Sequence, residues 1–198
     1  WGKMGETRHS LVEVEQALRL SEEVNDALNI CSNLTIMGEL LLTAGEVDRA
    51  IKAFQRAILI REKNRIPQVY IVFSYPQLAR ALFEKLRLDR EKGLPTEKRR
   101  FRLAALIAER SMSLTRRKYP SYRVPALIAK AILEWKKGSE KAAGKIFRES
   151  HRVAAEQGAG LWDGEAYLEE ARCLAEKGSS KFDEAQALFE QARSLFET

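Results

Sequence analysis

Residues 31–64 carry the pattern that decides how this chain is expected to fold, and they read CSNLTIMGELLLTAGEVDRAIKAFQRAILIREKN. Apolar side chains recur every three or four residues on both sides of Gly45. This spacing places them on one face of an α-helix. Glycine commonly ends a helix because it adopts a left-handed backbone at little cost. The stretch therefore predicts a hairpin of two amphipathic helices joined at Gly45.

The second helix of this hairpin carries a small, a large and a small residue on its packing face, namely Ala50, Phe54 and Ala57. Small residues let two helices approach closely, and the phenylalanine fills the space one turn away. The same order follows two other glycines: Gly138 with Ala143, Phe147 and Ser150, and Gly178 with Ala185, Phe189 and Ala192. The pattern predicts repeated hairpins that stack on one another.

Glycines mark a nearly regular period along the chain. Five of the eleven glycines, at 5, 45, 93, 138 and 178, are expected at turns that follow one helix or open the next, and their successive intervals are 40, 48, 45 and 40 residues. Only five prolines occur among 198 residues, and no stretch shows the alternation of a β-strand. We expect one all-α domain over 1–198, with these segments: a partial hairpin at 6–30, repeats at 31–64, 122–157 and 161–197, and an irregular repeat with a charged insertion at 66–118.

Residues 31–64 resemble a tetratricopeptide repeat, whose pattern is W-x2-L-G-x2-Y, then A-x3-F, then P. Leu34, Met37, Gly38 and Leu41 match the first part, with Leu in place of Trp and Tyr, and Ala50 and Phe54 match the second. Glu62 stands where the closing proline belongs, so the second helix is expected to run on. In the irregular repeat, Pro76 either starts a helix capped by Ser74 or kinks a longer one.

The resemblance implies a right-handed superhelix of stacked antiparallel helix hairpins that binds a protein or peptide. Its long units resemble the helical sensor and scaffold regions of bacterial signalling proteins. The groove positions of the family fall on Ser32, Thr35, Glu39, Leu42 and Thr43. Members that clamp the carboxylate at the C terminus of chaperones carry Lys and Asn there, so such a ligand is not expected. The alternative is that these residues only face solvent or a neighbouring loop.

Positive charge is concentrated in the middle of the chain. Lys and Arg number 34 against 28 Asp and Glu, and residues 51–150 alone hold 25 of the former against 9 of the latter. The densest clusters flank one predicted helix: Lys98, Arg99, Arg100 and Arg102 at its start, and Arg116, Arg117 and Lys118 at its end. Cations at a helix start oppose the helix dipole, so the first cluster is expected to serve an acidic partner. A solvated charged loop is the alternative.

The sequence offers little material for catalysis. His9 and His151 are the only histidines, and no phosphate loop, nucleophile elbow or paired cysteine motif occurs. We interpret Glu165, Glu169 and Glu170 as solvated surface. No enzymatic activity, metal site or cofactor is predicted.

Other features concern the ends of the chain and its surroundings. Trp162 is expected in a turn near three glycines, either capping a helix pair or anchoring a partner. The first residue is Trp rather than Met, which predicts a fragment of a longer protein.

Leu11, Val14 and Leu18 are expected to form a bare apolar face, so that the chain either self-associates through this end or loses helix there. No apolar run is long enough for a membrane span, and two distant cysteines favour a reduced, cytoplasmic protein.

These observations predict a protein-interaction or regulatory scaffold. A nucleic-acid-binding helical repeat is the first alternative: the pI near 9.4 favours it, but no set of aromatic residues lies among the cations to stack on bases. The second alternative is a helical accessory domain of a signalling enzyme.

Overall fold

The computed structural model describes residues 2–67, 72–95 and 97–197, and all regular secondary structure in these ranges is helical. The α-helices there are α1 (Gly2–Glu23), α2 (Ala27–Thr43), α3 (Val47–Asn64), α4 (Ser74–Glu91), α5 (Lys98–Arg117), α6 (Arg123–Lys136), α7 (Glu140–Gln157), α8 (Gly160–Ala175) and α9 (Phe182–Glu197). Short 3₁₀ turns at Pro120–Tyr122 and Gly178–Lys181 precede α6 and α9.

Most helices are followed, within three residues of their last residue, by a residue with a left-handed backbone, which turns the chain into the next helix. These residues are Asn25, Gly45, Arg65, Gly93, Gly138, Gly158 and Gly178. Four of the five glycines that defined the period are among them. The turn expected at Gly5 is wrong, because Gly5 lies inside α1. A glycine within a helix costs only about 1 kcal/mol relative to alanine, so its presence alone does not end a helix.

The chain divides into two compact units, Trp1–Ile107 and Ala108–Thr198, with the boundary inside α5. Successive helices pack against each other within each unit: α1 on α2, α2 on α3 and α3 on α4 in the first, and α6 on α7, α7 on α8 and α8 on α9 in the second. The predicted all-α fold of stacked helix hairpins is confirmed.

The first unit is organised around a close approach between α2 and α3. Phe54, Ala50 and Ala57 on α3 are fully buried. Gly38 of α2 lies so close to the Phe54 ring that a β-carbon added there would be 2.5 Å from Cε1 of the ring. The missing side chain at Gly38 therefore makes room for the aromatic ring at Phe54, as the repeat pattern predicted.

Helix α1 also packs against α2. Leu18 of α1 is buried with Ile30, Leu34 and Ala57 in one apolar cluster. The expectation that Leu18 belongs to a bare apolar face is therefore wrong, because α2 packs against that side of α1. Leu11 and Val14 are half-buried.

Helix α4 begins at Ser74, with Pro76 in its first turn. Proline fits the first turn of a helix, where its missing N–H is not needed. Pro76 thus starts a helix rather than kinking one. The proposed cap is wrong: no side chain caps α4, and the Ser74 hydroxyl instead lies 2.7 Å from that of Thr35 on α2. Helix α3 runs past Glu62 to Asn64, as the absence of the closing proline predicted.

The second unit repeats the small, large, small order with one difference. Ala143, Phe147 and Ser150 of α7 are all buried, as are Ala185 and Ala192 of α9. Phe189 is 39% exposed, so its expected burial is wrong. A different phenylalanine, Phe196, fills the close approach in this hairpin: a β-carbon at Gly164 of α8 would lie 2.8 Å from its ring. Among the described residues, no helix is long and apolar enough to cross a membrane.

Replacing Gly38 tests the α2–α3 contact. We expect Gly38→Ala to lower the free energy of unfolding by about 1–3 kcal/mol, because the new methyl group meets a ring that is too tightly packed to move. Gly144→Ala in α7 is the control. Its β-carbon would meet only the end of Arg148, at 3.6 Å, so higher helix propensity should leave stability equal or raise it by up to about 1 kcal/mol. Urea unfolding followed by circular dichroism measures the free energy of unfolding of both variants. Equal changes in the two would contradict tight packing of the Phe54 ring against Gly38.

Candidate partner-binding surface

The basic cluster at the start of α5 contains one residue that is paired inside the fold, Arg100, and three that are exposed: Lys98, Arg99 and Arg102. Arg100 donates a hydrogen bond to Asp89 of α4 and pairs with Glu97 at 2.8 Å. Asp89 is only 8% exposed and also lies 3.2 Å from the ammonium of Lys85. A buried carboxylate needs such partners because leaving it unpaired is costly. Arg100 therefore holds α5 against α4.

An aromatic pair supports this junction. The rings of Phe83 on α4 and Phe101 on α5 meet edge to face, with 6.4 Å between their centroids. This geometry is one that aromatic rings prefer. The first turn of α5 is thus fixed by an ion pair and a ring contact on the same side.

The opposite side of the same turn is open to solvent. Arg99, Arg102 and Leu106 occupy positions i, i+3 and i+7 of α5, which is one helix face. All three are exposed, and Leu106 has 66% of its surface accessible. Lys98 is exposed beside them. No ion pair involves Lys98, Arg99 or Arg102 within the described ranges. We call these four residues the Arg99 surface.

The second basic cluster lies at the end of α5, in the second unit. Arg116 and Lys118 are exposed. The side chain of Arg117 lies outside the described residues. Positive charge suits a helix C terminus through the helix dipole, so Arg116 has a local stabilising role that Arg99 lacks.

The groove positions proposed on α2 differ in how available they are. Thr35 is 5% exposed, and its hydroxyl donates to the carbonyl of Cys31 at 2.8 Å while also contacting Ser74. Ser32 and Glu39 are half-buried, and Thr43 is exposed near the end of the helix. Thr35 connects α2 to α4 and presents no free hydroxyl. A peptide groove along Ser32, Glu39 and Thr43 stays a prediction.

Trp162 lies in the first turn of α8, not in a loop, and is half-buried. Its expected position in a turn between helices is therefore wrong, because α8 begins at Gly160 and Trp162 is its third residue. Its role as a partner anchor stays a prediction.

Candidate chemical groups are dispersed or held in structural contacts. Both cysteines are buried; burial raises the pKa of the Cys31 thiol to about 11, more than the nearby Arg61 lowers it. No group of three or more His, Cys, Asp or Glu side chains could hold a metal ion in the part of the chain that the structure describes. Glu169 and Glu170 are paired and mostly covered, so their interpretation as solvated surface is wrong.

Truncating neighbouring arginines of α5 separates the two kinds of cation. We expect Arg100→Ala to destabilise the chain by about 1–2 kcal/mol, because Asp89 loses a charged hydrogen-bond donor. Arg99→Ala removes the same group from the same turn and should change stability by less than about 0.5 kcal/mol. Urea denaturation measures the free energy of unfolding of each variant. A larger loss for Arg99→Ala than for Arg100→Ala would contradict the assignment.

Comparison with known proteins supports the fold. No family model matches the sequence, and no curated protein matches it significantly. Two similar solved structures are crystal structures from Podosopora anserina, one of a protein assigned as a kinesin light chain with nearly identical TPR-like repeats and one of a single-substitution variant of it. TM-scores are 0.55 and 0.56 at 17% identity, over 98% of this chain and 88% of each neighbour. The chain therefore has the fold of a TPR-like (tetratricopeptide-like) helical repeat.

Proposed function

We propose that this chain is a protein-interaction scaffold without catalytic activity of its own, and that the Arg99 surface binds an acidic segment of a partner protein. The observation that carries the proposal is the side-by-side contrast on α5, where Arg100 is used inside the fold and Arg99 and Arg102 are not. A TPR-like fold supports it in general terms, because stacked hairpins present rigid surfaces that bind with little ordering cost.

The dimensions of the Arg99 surface indicate what kind of segment fits. Arg99 and Leu106 are seven residues apart, which is roughly 10 Å along a helix. Two guanidinium groups beside one exposed leucine match a short segment with two carboxylates next to an apolar side chain. Arginine suits this role because its planar group binds a carboxylate through two hydrogen bonds.

Such a surface gives weak, salt-dependent binding by itself. Exposed ion pairs contribute about 0.2–1 kcal/mol each, and salt screens them. Affinity therefore depends on Leu106 as well as on the charges, since burying its exposed side chain adds a term that salt does not weaken.

A fluorescence polarisation experiment with defined probes tests the proposal. The first probe is a labelled helical peptide with two glutamates and a leucine spaced to meet the Arg99 surface, and the second is the same composition scrambled. We expect the whole chain to bind the first probe more tightly, with affinity falling as NaCl rises from 50 to 300 mM. Arg99→Glu combined with Arg102→Glu should weaken binding at least about tenfold, the size of a loss of 1.4 kcal/mol.

The matched control reverses the charge of two exposed lysines on a different helix. Lys141 and Lys145 on α7 are both exposed, so Lys141→Glu with Lys145→Glu changes the net charge by the same amount. This control should keep binding within about twofold of the original chain. Equal losses in both variants would show a general charge effect and would contradict a defined surface.

A labelled single-stranded RNA tests the alternative in the same assay. Tight RNA binding that falls steeply with salt and is lost in the Arg99 and Arg102 variant would favour a nucleic-acid-binding repeat instead. Self-association, the position in the cytoplasm and the relation to bacterial signalling scaffolds stay predictions.

A further inference from the structure

His151 connects two consecutive helix hairpins through both nitrogens of its ring. It lies on α7, and its Nδ1 is 2.6 Å from the carboxylate of Asp163 while its Nε2 is 3.3 Å from that of Glu170. The ring also stacks on Tyr167, with 3.9 Å between centroids. Asp163, Tyr167 and Glu170 occupy one face of α8, at positions i, i+4 and i+7.

This arrangement suits only the protonated ring. A neutral imidazole has one N–H donor and one lone pair, whereas the imidazolium donates from both nitrogens. With a carboxylate at each nitrogen, the neutral ring must turn a lone pair toward one of them. The site is also partly withdrawn from water, with side-chain exposures of 16% for His151, 21% for Asp163 and 22% for Glu170.

The surrounding charges favour the same protonation state. From α8, Asp163 and Glu170 face the ring, together with the phenol of Tyr167. From α6, which also packs on α7, Arg123 bonds Glu149 two residues before His151. On α7 itself, Arg152 pairs with Glu156. The charges in direct contact with the ring are therefore negative.

We propose that His151 is a proton-dependent link between the α6–α7 and α8–α9 hairpins, closed when the ring is charged and loosened when it is neutral. Loss of the proton leaves one carboxylate of α8 without its donor from α7. The contact between the hairpins is then weaker, and the first three turns of α8, which carry Trp162, are held less firmly. This inference is independent of the Arg99 surface.

The pKa of His151 agrees with this direction. Burial lowers the pKa, but the hydrogen bonds and charges of Glu170 and Asp163 outweigh burial and raise it above the ordinary value of 6.5. A folded-state pKa above the unfolded value means that the ring stabilises the fold fully below pH 6.5. That stabilisation is lost as pH rises through the higher, folded-state pKa.

Nuclear magnetic resonance of the histidine ring signals tests the proposal on the unaltered chain. His9→Gln assigns the two histidines without touching the site. We expect His151 to titrate above pH 6.5, and Asp163→Asn or Glu170→Gln to move its pKa down. A midpoint for His151 at or below 6.5 would overturn the proposal.

Amide hydrogen exchange tests the mechanical consequence. After correction for intrinsic exchange rates, we expect opening of residues 163–171 to increase between pH 6 and pH 9, by about tenfold for each unit by which folding raises the pKa of His151. In His151→Gln, opening should be higher at pH 6 and no longer depend on pH. The same pH dependence in His151→Gln would overturn the proposal. If the glutamine variant does not fold, Asp163→Asn replaces it: the ring then keeps only Glu170, so the increase in opening between pH 6 and pH 9 should be smaller than in the original chain, and an unchanged increase would overturn the proposal.

Discussion

The close approach of α2 and α3, where the Phe54 ring takes the place of a side chain at Gly38, is the constraint on which the first unit depends. A ring that is fully buried against a helix backbone leaves the two helices only one spacing and one register. Contacts then extend outward from this pair. The Thr35 hydroxyl joins α2 to Ser74 of α4, and the Lys85 ammonium of α4 lies 2.9 Å from Asp48 of α3.

The same series of contacts continues to the Arg99 surface. Arg100 of α5 is paired with Asp89 of α4, and Phe101 of α5 packs against Phe83 of α4. These two contacts determine how the first turn of α5 is rotated about the helix axis. Because Arg100 and Phe101 face α4, Arg99 and Arg102 must face outward. The position of the proposed binding surface thus follows from packing inside the unit, and Arg99 and Arg102 are expected to contribute little to stability.

Sequence periodicity was sufficient for the fold because it depends on local properties of the chain. The helix faces, the glycines that end helices and the pairing of Gly38 with Phe54 all follow from residue spacing within one hairpin. Contacts between hairpins were not predicted, since spacing does not indicate which side chain of the next helix lies opposite. Thr35, Arg100 and Glu170 are polar residues whose partners are distant in sequence, so all three were interpreted as surface.

The exposure of Phe189 is a second feature that residue spacing does not determine. Its spacing from Ala185 and Ala192 matches that of the buried phenylalanines in α3 and α7, yet the α8–α9 hairpin uses Phe196 against Gly164. A repeat pattern specifies the residue types of a packing face. The position along the two helices at which they come closest depends on the side chains of both.

A double-mutant cycle between Gly38 and Phe54 tests the central contact most directly. The variants are Gly38→Ala, Phe54→Leu and the two combined, each unfolded in urea. Phe54→Leu removes the ring that the new methyl group would meet, so we expect Gly38→Ala to cost at least about 1 kcal/mol less in that background than in the original chain. A cost of Gly38→Ala that is the same with Phe54 and with Leu at this position would contradict the account.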